Sequence, residues 1–249
     1  MTGDPEAAVS MGHVVLNGVD YSYLEAGSGP LAVCVHGFPD TAHTWRHLLP
    51  CLAEAGFHAV APFMRGYAPT AVPADGSSPL SAWIADIDVL HDALGGDGDA
   101  ILVGHDWGAL TVYGAASFAP SKWKRVVAAA VPPPVVMATR LLSYEQVRAF
   151  WYQYVFLQPS AEMIVMNNDM EFIERLWAEW SPGYDASEDL GPVKDALRAP
   201  EHLTAALSTY RTMYDPSKQP PEFAPQAAAA LNVPSQPVLY LHGANDGCV

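Results

Sequence analysis

Basic residues are scarce in this chain. Its 249 residues include 12 lysines and arginines against 27 aspartates and glutamates, which leaves a formal net charge of −15 at pH 7. A surface this acidic repels the phosphate backbone of nucleic acids and the anionic headgroups of membranes. We therefore expect no nucleic acid among the partners of this protein.

Cysteines and long apolar runs are also rare. The three cysteines, Cys34, Cys51 and Cys248, are too few for a disulfide framework, and no cysteine–histidine cluster has the spacing of a zinc site. The first residues lack the basic and apolar regions of a secretory leader, so we expect none, and no uncharged apolar run reaches the ~20 residues that cross a bilayer. We expect a cytoplasmic protein without membrane insertion and without a metal.

Hydrophobic residues, in contrast, make up half of the chain, so a large core is available. Over residues 1–131, strand-like apolar runs such as 31–35 and 100–103 alternate with helical segments such as 44–55 and 80–94. Continuous apolar runs are typical of strands that are buried on both faces. The alternation predicts an α/β protein with a mostly parallel sheet.

The pattern changes at the three prolines 132–134. Residues 132–225 are predicted to be helical and rich in aromatic side chains, and a further strand is predicted at 237–241. A helical insert between two strands of a parallel sheet is expected to form a lid over the carboxyl edge, where ligands bind. We therefore divide the chain into a core part at 1–131, a lid at 132–225 and a second core part at 226–249, which looks truncated at its C-terminus.

The segment Gly104-His105-Asp106-Trp107-Gly108 is the first candidate for chemistry. It lies between the predicted strand 100–103 and a predicted helix at 109–118, which is the context of a nucleophile elbow. The alternative is an acidic N-cap in an ordinary strand–helix loop. The strand before it and the helix after it favour Asp106 as a nucleophile.

An aspartate at this position favours attack on a saturated carbon. With an ordinary pKa of about 3.9, its carboxylate is ionised at pH 7 and needs no base to activate it. Its attack gives an ester that water cleaves in a second step, whereas a serine would leave a stable ether. The chemistry therefore points to epoxides or alkyl halides, and away from esters and amides.

The segment His36-Gly37-Phe38-Pro39 follows the predicted strand 31–35. A glycine-containing loop at this place can direct backbone N–H groups at a developing oxyanion. The predicted donors are the amides of Phe38 and of Trp107, the residue after the nucleophile. We interpret His36 as a structural residue that holds this loop by hydrogen bonds.

These motifs resemble a known family. HGFPD at 36–40, Trp45, Arg65-Gly66-Tyr67 and GHDWG at 104–108 are similar to the α/β-hydrolase fold, in the branch of epoxide hydrolases and haloalkane dehalogenases. The resemblance implies an α/β-hydrolase fold with a helical lid. It also implies a reaction that needs no metal and no organic cofactor.

The resemblance further implies two lid tyrosines that hold the oxygen of an epoxide. The stretches 151–159 and 209–213 are similar to those that carry them, which assigns these roles to Tyr152 and Tyr210. A phenol with a pKa near 10 donates a hydrogen bond at neutral pH and can protonate an alkoxide. The alternatives are that both are ordinary core aromatics of the lid, or that Tyr154 takes the place of Tyr152.

The family also has an acid after the last strand described above. In His242-Gly243-Ala244-Asn245-Asp246 the resemblance assigns this role to Asp246, which would orient a catalytic histidine; the alternative is a turn-forming aspartate. That histidine follows the acid in chain order, and the last histidine of this sequence is His242. We expect either that this chain forms the ester and stalls, or that the sequence is part of a longer protein.

Together these observations predict an epoxide hydrolase that converts a small apolar epoxide and water to a vicinal diol through an ester on Asp106. Two alternatives stay open. One is a haloalkane dehalogenase, and the other is a binding protein on the same fold that has lost turnover. The sequence also leaves a homodimer open.

Overall fold

The computed structural model describes residues 8–249, which form one seven-stranded sheet. Its strands are β1 (Ser10–Leu16), β2 (Val19–Ala26), β3 (Leu31–Val35), β4 (His58–Pro62), β5 (Ala100–His105), β6 (Trp123–Ala129) and β7 (Val238–Leu241). They lie in the order β1-β2-β4-β3-β5-β6-β7. All pairs from β4 to β7 are parallel, and only β1 and β2 run antiparallel to their neighbours in the described chain. The prediction of a mostly parallel sheet is confirmed.

Helices cover both faces of this sheet. The core helices are α1 (Leu48–Glu54), α2 (Leu80–Ala93) and α3 (Trp107–Phe118). Because side chains alternate along β3, Val33 and Val35 pack with α2 and α3, whereas Cys34 packs with Leu49 of α1 on the other face. This explains why the sequence of β3 is apolar at every position.

The predicted helix at 44–55 is wrong in its first part. Residues Ala42–Trp45 form a single 3₁₀ turn, and α1 begins only at Leu48. A helix that began at residue 44 would place Pro50 in its interior, where proline has no N–H to donate and its ring clashes with the preceding turn. In the observed helix Pro50 lies in the first turn, where a missing N–H costs nothing.

Seven further α-helices lie between β6 and β7, and we call them the insert. They are α4 (Pro134–Arg140), α5 (Tyr144–Ala149), α6 (Trp151–Phe156), α7 (Ala161–Trp180), α8 (Ser187–Leu197), α9 (Pro200–Tyr214) and α10 (Ala224–Ala229). Non-helical backbone at 167–170 interrupts α7. None of the helices within residues 8–249 combines the length and the apolar character that a membrane-spanning helix needs.

A buried ion pair fixes the loop after β4 to α2. The guanidinium of Arg65 donates to both carboxylate oxygens of Asp86, each at 2.6 Å. Tyr21 and Asn17 donate to the same carboxylate from β2 and from the β1–β2 turn. Both members of the pair are almost fully buried. The Arg65-Gly66-Tyr67 motif therefore joins three elements of the core.

Candidate active site

Asp106 lies at the sharp turn between β5 and α3, with backbone angles φ 54° and ψ −120°. Such a conformation costs on the order of 1–3 kcal/mol for a residue other than glycine, so the surroundings must enforce it. A Cβ atom at Gly104 would collide with the backbone of Gly108, and one at Gly108 would collide with the carbonyl of Val35. Glycine is therefore required on both sides of Asp106.

The loop after β3 reaches the carboxylate of Asp106 because β3 and β5 are adjacent parallel strands. The amide N–H of Phe38 donates to Asp106 Oδ1 at 2.8 Å, and the neighbouring amide of Trp107 lowers the pKa of the same carboxyl. A side chain at Gly37 would overlap the carboxylate itself. The structure thus brings together Asp106 and the two amides that the sequence predicted as oxyanion donors.

Burial changes the acidity of Asp106. Removal from water raises the pKa of this carboxyl above its ordinary value, although nearby His105 and the Phe38 and Trp107 amides oppose the shift. The expectation of an ordinary pKa is therefore corrected. The physical reason is that the turn packs the carboxyl beneath the insert, which the sequence motif does not reveal.

The loop that carries Phe38 is supported by His36, which is fully buried. Its Nε2 accepts from the amide of Met64 at 3.0 Å, so its Nδ1 is the protonated nitrogen and donates to the Gly37 carbonyl at 2.8 Å. Burial lowers the pKa of His36 to about 4, which keeps the ring neutral at pH 7. This arrangement agrees with a structural role.

Asp106 lies at the boundary of two cavities. The larger, which we call the main cavity, has a volume of about 490 Å³ and extends from Asp106 and Trp107 into the insert. Its walls are mostly apolar and include Met137 and Phe150. A cavity of this size and lining suits an apolar small molecule.

Tyr152 of α6 and Tyr210 of α9 both line the main cavity, with ring centroids 6.0 Å apart. Tyr210 also packs edge-on against Trp107, at 5.1 Å between centroids. Burial and the nearby Asp106 carboxylate raise the pKa of both phenols well above 10, so both keep their protons at neutral pH. Tyr154, the competing candidate, is 44% exposed and packs against Tyr214 outside the cavity.

The second cavity, which we call the small cavity, has a volume of about 260 Å³ and lies on the other side of Asp106. Asp246 lines it, and its Oδ1 accepts from the amides of Cys248 at 2.8 Å and Val249 at 3.0 Å. Asp106 and Asp246 therefore face one space. His242 is directed elsewhere, since its ring nitrogens contact the Tyr240 hydroxyl and the Val249 carbonyl.

Sequence reasoning missed Asp40, which also lines the small cavity. Its carboxyl accepts from the Thr41 amide at 2.7 Å and lies 3.9 Å from His105 Nδ1. Burial, together with the charges of Asp189 and Asp106, raises the pKa of Asp40 to about 7. The sequence feature that could have identified Asp40 is its position directly after His36-Gly37-Phe38-Pro39.

Cys248 was missed as well, and it lines both cavities. Its Sγ lies 3.5 Å from the hydroxyl of Tyr152, and burial raises the pKa of its thiol to about 12. No motif in the sequence indicates this contact, because 96 residues separate the two side chains.

Comparison with known proteins agrees with this geometry. A family model described as alpha/beta hydrolase fold matches residues 30–249. An epoxide hydrolase of Caballeronia sordidicola is 37% identical over 171 residues, which cover 66% of this chain and 51% of that protein. The AB hydrolase superfamily protein YfhM of Bacillus subtilis is 31% identical over 208 residues, which cover 79% of this chain and 71% of that protein.

Solved structures show the same likeness. The crystal structure of Epoxide Hydrolase A from Mycobacterium thermoresistibile superimposes with a TM-score of 0.76 at 28% identity, over 95% of this chain and 83% of that one. The chain spans about half the length of the Caballeronia relative.

Proposed function

Because this chain belongs to the α/β-hydrolase fold family, we propose that it is an epoxide hydrolase in which Asp106 attacks the epoxide ring. One observation carries the proposal. The Asp106 carboxylate lies at the end of an apolar cavity whose wall holds two buried, protonated tyrosines, Tyr152 and Tyr210. A nucleophile and two hydrogen-bond donors on one cavity are the groups that ring opening requires.

In the first step, the Phe38 amide holds Asp106 Oδ1, and Oδ2 is the oxygen that attacks. A bond forms between Oδ2 and one epoxide carbon while the bond from that carbon to the ring oxygen breaks. The electron pair of the broken bond stays on the ring oxygen, which accepts hydrogen bonds from Tyr152 and Tyr210. It then takes one proton from one of the two phenols, and solvent returns a proton to the phenolate that is left. The product is an alkyl ester of Asp106.

In the second step, water attacks the carbonyl carbon of the ester, and negative charge develops on Oδ1. The Phe38 amide already lies 2.8 Å from this oxygen, so it stabilises the oxyanion without reorganisation. A base must activate the water, and in the resemblance Asp246 orients a histidine for this task. Within residues 8–249 no histidine is hydrogen-bonded to Asp106 or Asp246, so ester formation is the step for which these residues supply the groups.

The substrate that fits the main cavity is a small apolar epoxide. The cavity presents far more apolar than polar surface, and Asp106, Tyr152 and Tyr210 are among its polar lining groups. An apolar substituent would therefore be buried in the insert while the epoxide ring meets Asp106.

The test is to incubate the chain with styrene oxide and to measure its intact mass. We expect a mass increase of one styrene oxide, located on the peptide that contains Asp106. The variant Asp106→Ala should acquire no label, and the control Asp99→Ala, which changes an exposed carboxylate at the start of β5, should label normally.

No adduct on Asp106 in the folded chain would refute the proposed nucleophile. Alkylation by 1-chlorobutane with release of chloride, without any adduct from epoxides, would instead identify a haloalkane dehalogenase. Reversible binding of styrene oxide without covalent change would identify a binding protein.

A further inference from the structure

The two hydroxyls on the wall of the main cavity have different surroundings. The hydroxyl of Tyr210 is buried and has no hydrogen-bond partner among residues 8–249. The hydroxyl of Tyr152 accepts a hydrogen bond from the side-chain amide of Gln153, with Nε2 at 3.1 Å. A protein donor therefore already occupies one lone pair of the Tyr152 oxygen.

Gln153 is itself held in place. Its side chain is buried within α6, and its Oε1 accepts from the hydroxyl of Tyr214, at the end of α9, at 2.9 Å. Tyr214 thus contacts the oxygen of the amide, and the amide nitrogen faces Tyr152. Three side chains from two helices form a chain of hydrogen bonds that runs from the outside of the insert to the cavity wall.

The direction of these hydrogen bonds determines whether Tyr152 can donate its proton to a ligand. A phenol has one proton to donate, and a strong acceptor beside it would consume that proton. Because Gln153 presents N–H to Tyr152, the proton of Tyr152 is left for another acceptor. In the described residues its other neighbour is Cys248 Sγ at 3.5 Å, a weak acceptor that an epoxide oxygen would outcompete.

We propose that Gln153, oriented by Tyr214, is a positioning residue that keeps Tyr152 a hydrogen-bond donor to the epoxide oxygen. This inference rests on the proposed function. As the C–O bond of the epoxide breaks, the proton of Tyr152 moves to the ring oxygen and negative charge builds on the Tyr152 oxygen. The N–H of Gln153 stabilises that charge, and solvent later returns the proton.

The pKa of Tyr152 is consistent with this role. Burial and the Asp106 carboxylate raise it, whereas the hydrogen bond from Gln153 lowers it. Gln153 therefore makes a buried phenol a better acid than burial alone would allow.

The experiment is a double-mutant cycle on the rate of ester formation. Rapid quenching and intact mass give the rate with styrene oxide for the parent chain, Gln153→Glu, Tyr152→Phe and the double variant. The Gln153→Glu carboxylate has the shape of the amide but only accepts, so it would accept the hydrogen bond of Tyr152 and withdraw that donor from the epoxide oxygen. Gln158→Glu, an exposed position just beyond α6, is the matched control.

We expect Tyr152→Phe to slow ester formation by about 10²-fold. Gln153→Glu should slow it by roughly tenfold, the rate equivalent of one hydrogen bond. In the Tyr152→Phe background the Gln153→Glu change should have almost no further effect. The styrene oxide concentration at half-saturation should stay the same, because the positioning acts on the transition state.

The outcomes separate the two proposals. A Tyr152→Phe variant as fast as the parent would refute the acid role of Tyr152 in the proposed function. A slow Tyr152→Phe with a normal Gln153→Glu, or with independent effects of the two changes, would overturn the role of Gln153. If Gln153→Glu does not fold, Tyr214→Phe replaces it in the cycle. If Tyr214→Phe slowed ester formation equally in the parent chain and in the Tyr152→Phe background, the inference would be overturned.

Discussion

At the residue scale, Asp106 shows how a short motif encodes geometry but not acidity. The glycines at 104 and 108 are needed because any side chain there would collide with backbone, and both were visible in the sequence. The raised pKa of Asp106 was not visible, since it follows from burial beneath helices that are distant in the chain. The Phe38 amide contacts the Asp106 carboxylate, and Trp107 and Tyr152 line the same cavity as Asp106; their catalytic roles stay predictions.

Asp40 allows a prediction about pH. Its pKa is raised from about 3.9 in the unfolded chain to about 7 in the folded protein, so folding favours its protonated form. Stability is therefore lost as the pH rises between these two values, and the full penalty is present above pH 7. The variant Asp40→Asn, which still accepts from the Thr41 amide, should be more stable than the parent at pH 8 by up to about 4 kcal/mol.

Urea denaturation of parent and Asp40→Asn at pH 4 and pH 8 provides the measurement. The gain should be small at pH 4, where Asp40 is protonated in the folded protein and about half protonated in the unfolded chain. An equal gain at both pH values would contradict the assignment of the raised pKa to Asp40.

At the scale of elements, local sequence signals decided most boundaries. The Asn17-Gly18 pair, both with positive φ, makes the tight turn between β1 and β2, as this residue pair commonly does. The helix expected at 44–55 was wrong in its first part because Pro50 was overlooked as a first-turn signal. A proline or glycine predicts the boundary of a helix or turn correctly only when the position that this residue prefers within the element is taken into account.

The pair Arg65–Asp86 supports a prediction about how elements are joined. Asp86→Ala removes the carboxylate and leaves the buried guanidinium of Arg65 without a counter-charge. Loss of one partner of a buried pair costs about 3–5 kcal/mol, and we expect this decrease in the free energy of unfolding.

Denaturant unfolding followed by circular dichroism measures the effect. Asp92→Ala is the matched control, because Asp92 lies on the same helix but pairs with Lys122 at the surface. That variant should change stability by about 0–1 kcal/mol. Equal decreases in the free energy of unfolding in Asp86→Ala and Asp92→Ala would show that the buried pair stabilises the fold no more than the surface pair does.

At the scale of the whole molecule, the insert is joined to the core at the loop that carries Phe38. The indole N–H of Trp177, on α7, donates to the carbonyl of Pro39 at 2.8 Å. Arg46 of the core pairs with Asp189 of α8 next to this contact. We propose that the insert is a lid, and these contacts hold it over the carboxyl ends of β3 and β5.

Trp177→Phe tests this connection. The variant keeps most of the aromatic packing and loses the hydrogen bond, so stability should fall by about 0.5–1.5 kcal/mol. Ester formation on Asp106 should slow by a few-fold, because the adjacent Phe38 amide is held less firmly.

The same two measurements on Trp151→Phe, an exposed tryptophan of α6, provide the reference for loss of an indole elsewhere in the insert. An unchanged rate of ester formation in Trp177→Phe would show that the hydrogen bond from Trp177 to Pro39 does not position the Phe38 amide.

The sequence by itself determined the α/β-hydrolase fold, which is confirmed, and it nominated Asp106, Phe38 and Trp107, because strand periodicity and glycine-framed turns are local features of the chain. Only the tertiary structure decided that Tyr152 rather than Tyr154 lines the cavity of Asp106, that Asp40 and Asp106 have raised pKa values, and that Gln153 presents its N–H to Tyr152. Burial and hydrogen-bond direction depend on which distant segments meet, and that information lies in the packing of the insert on the sheet.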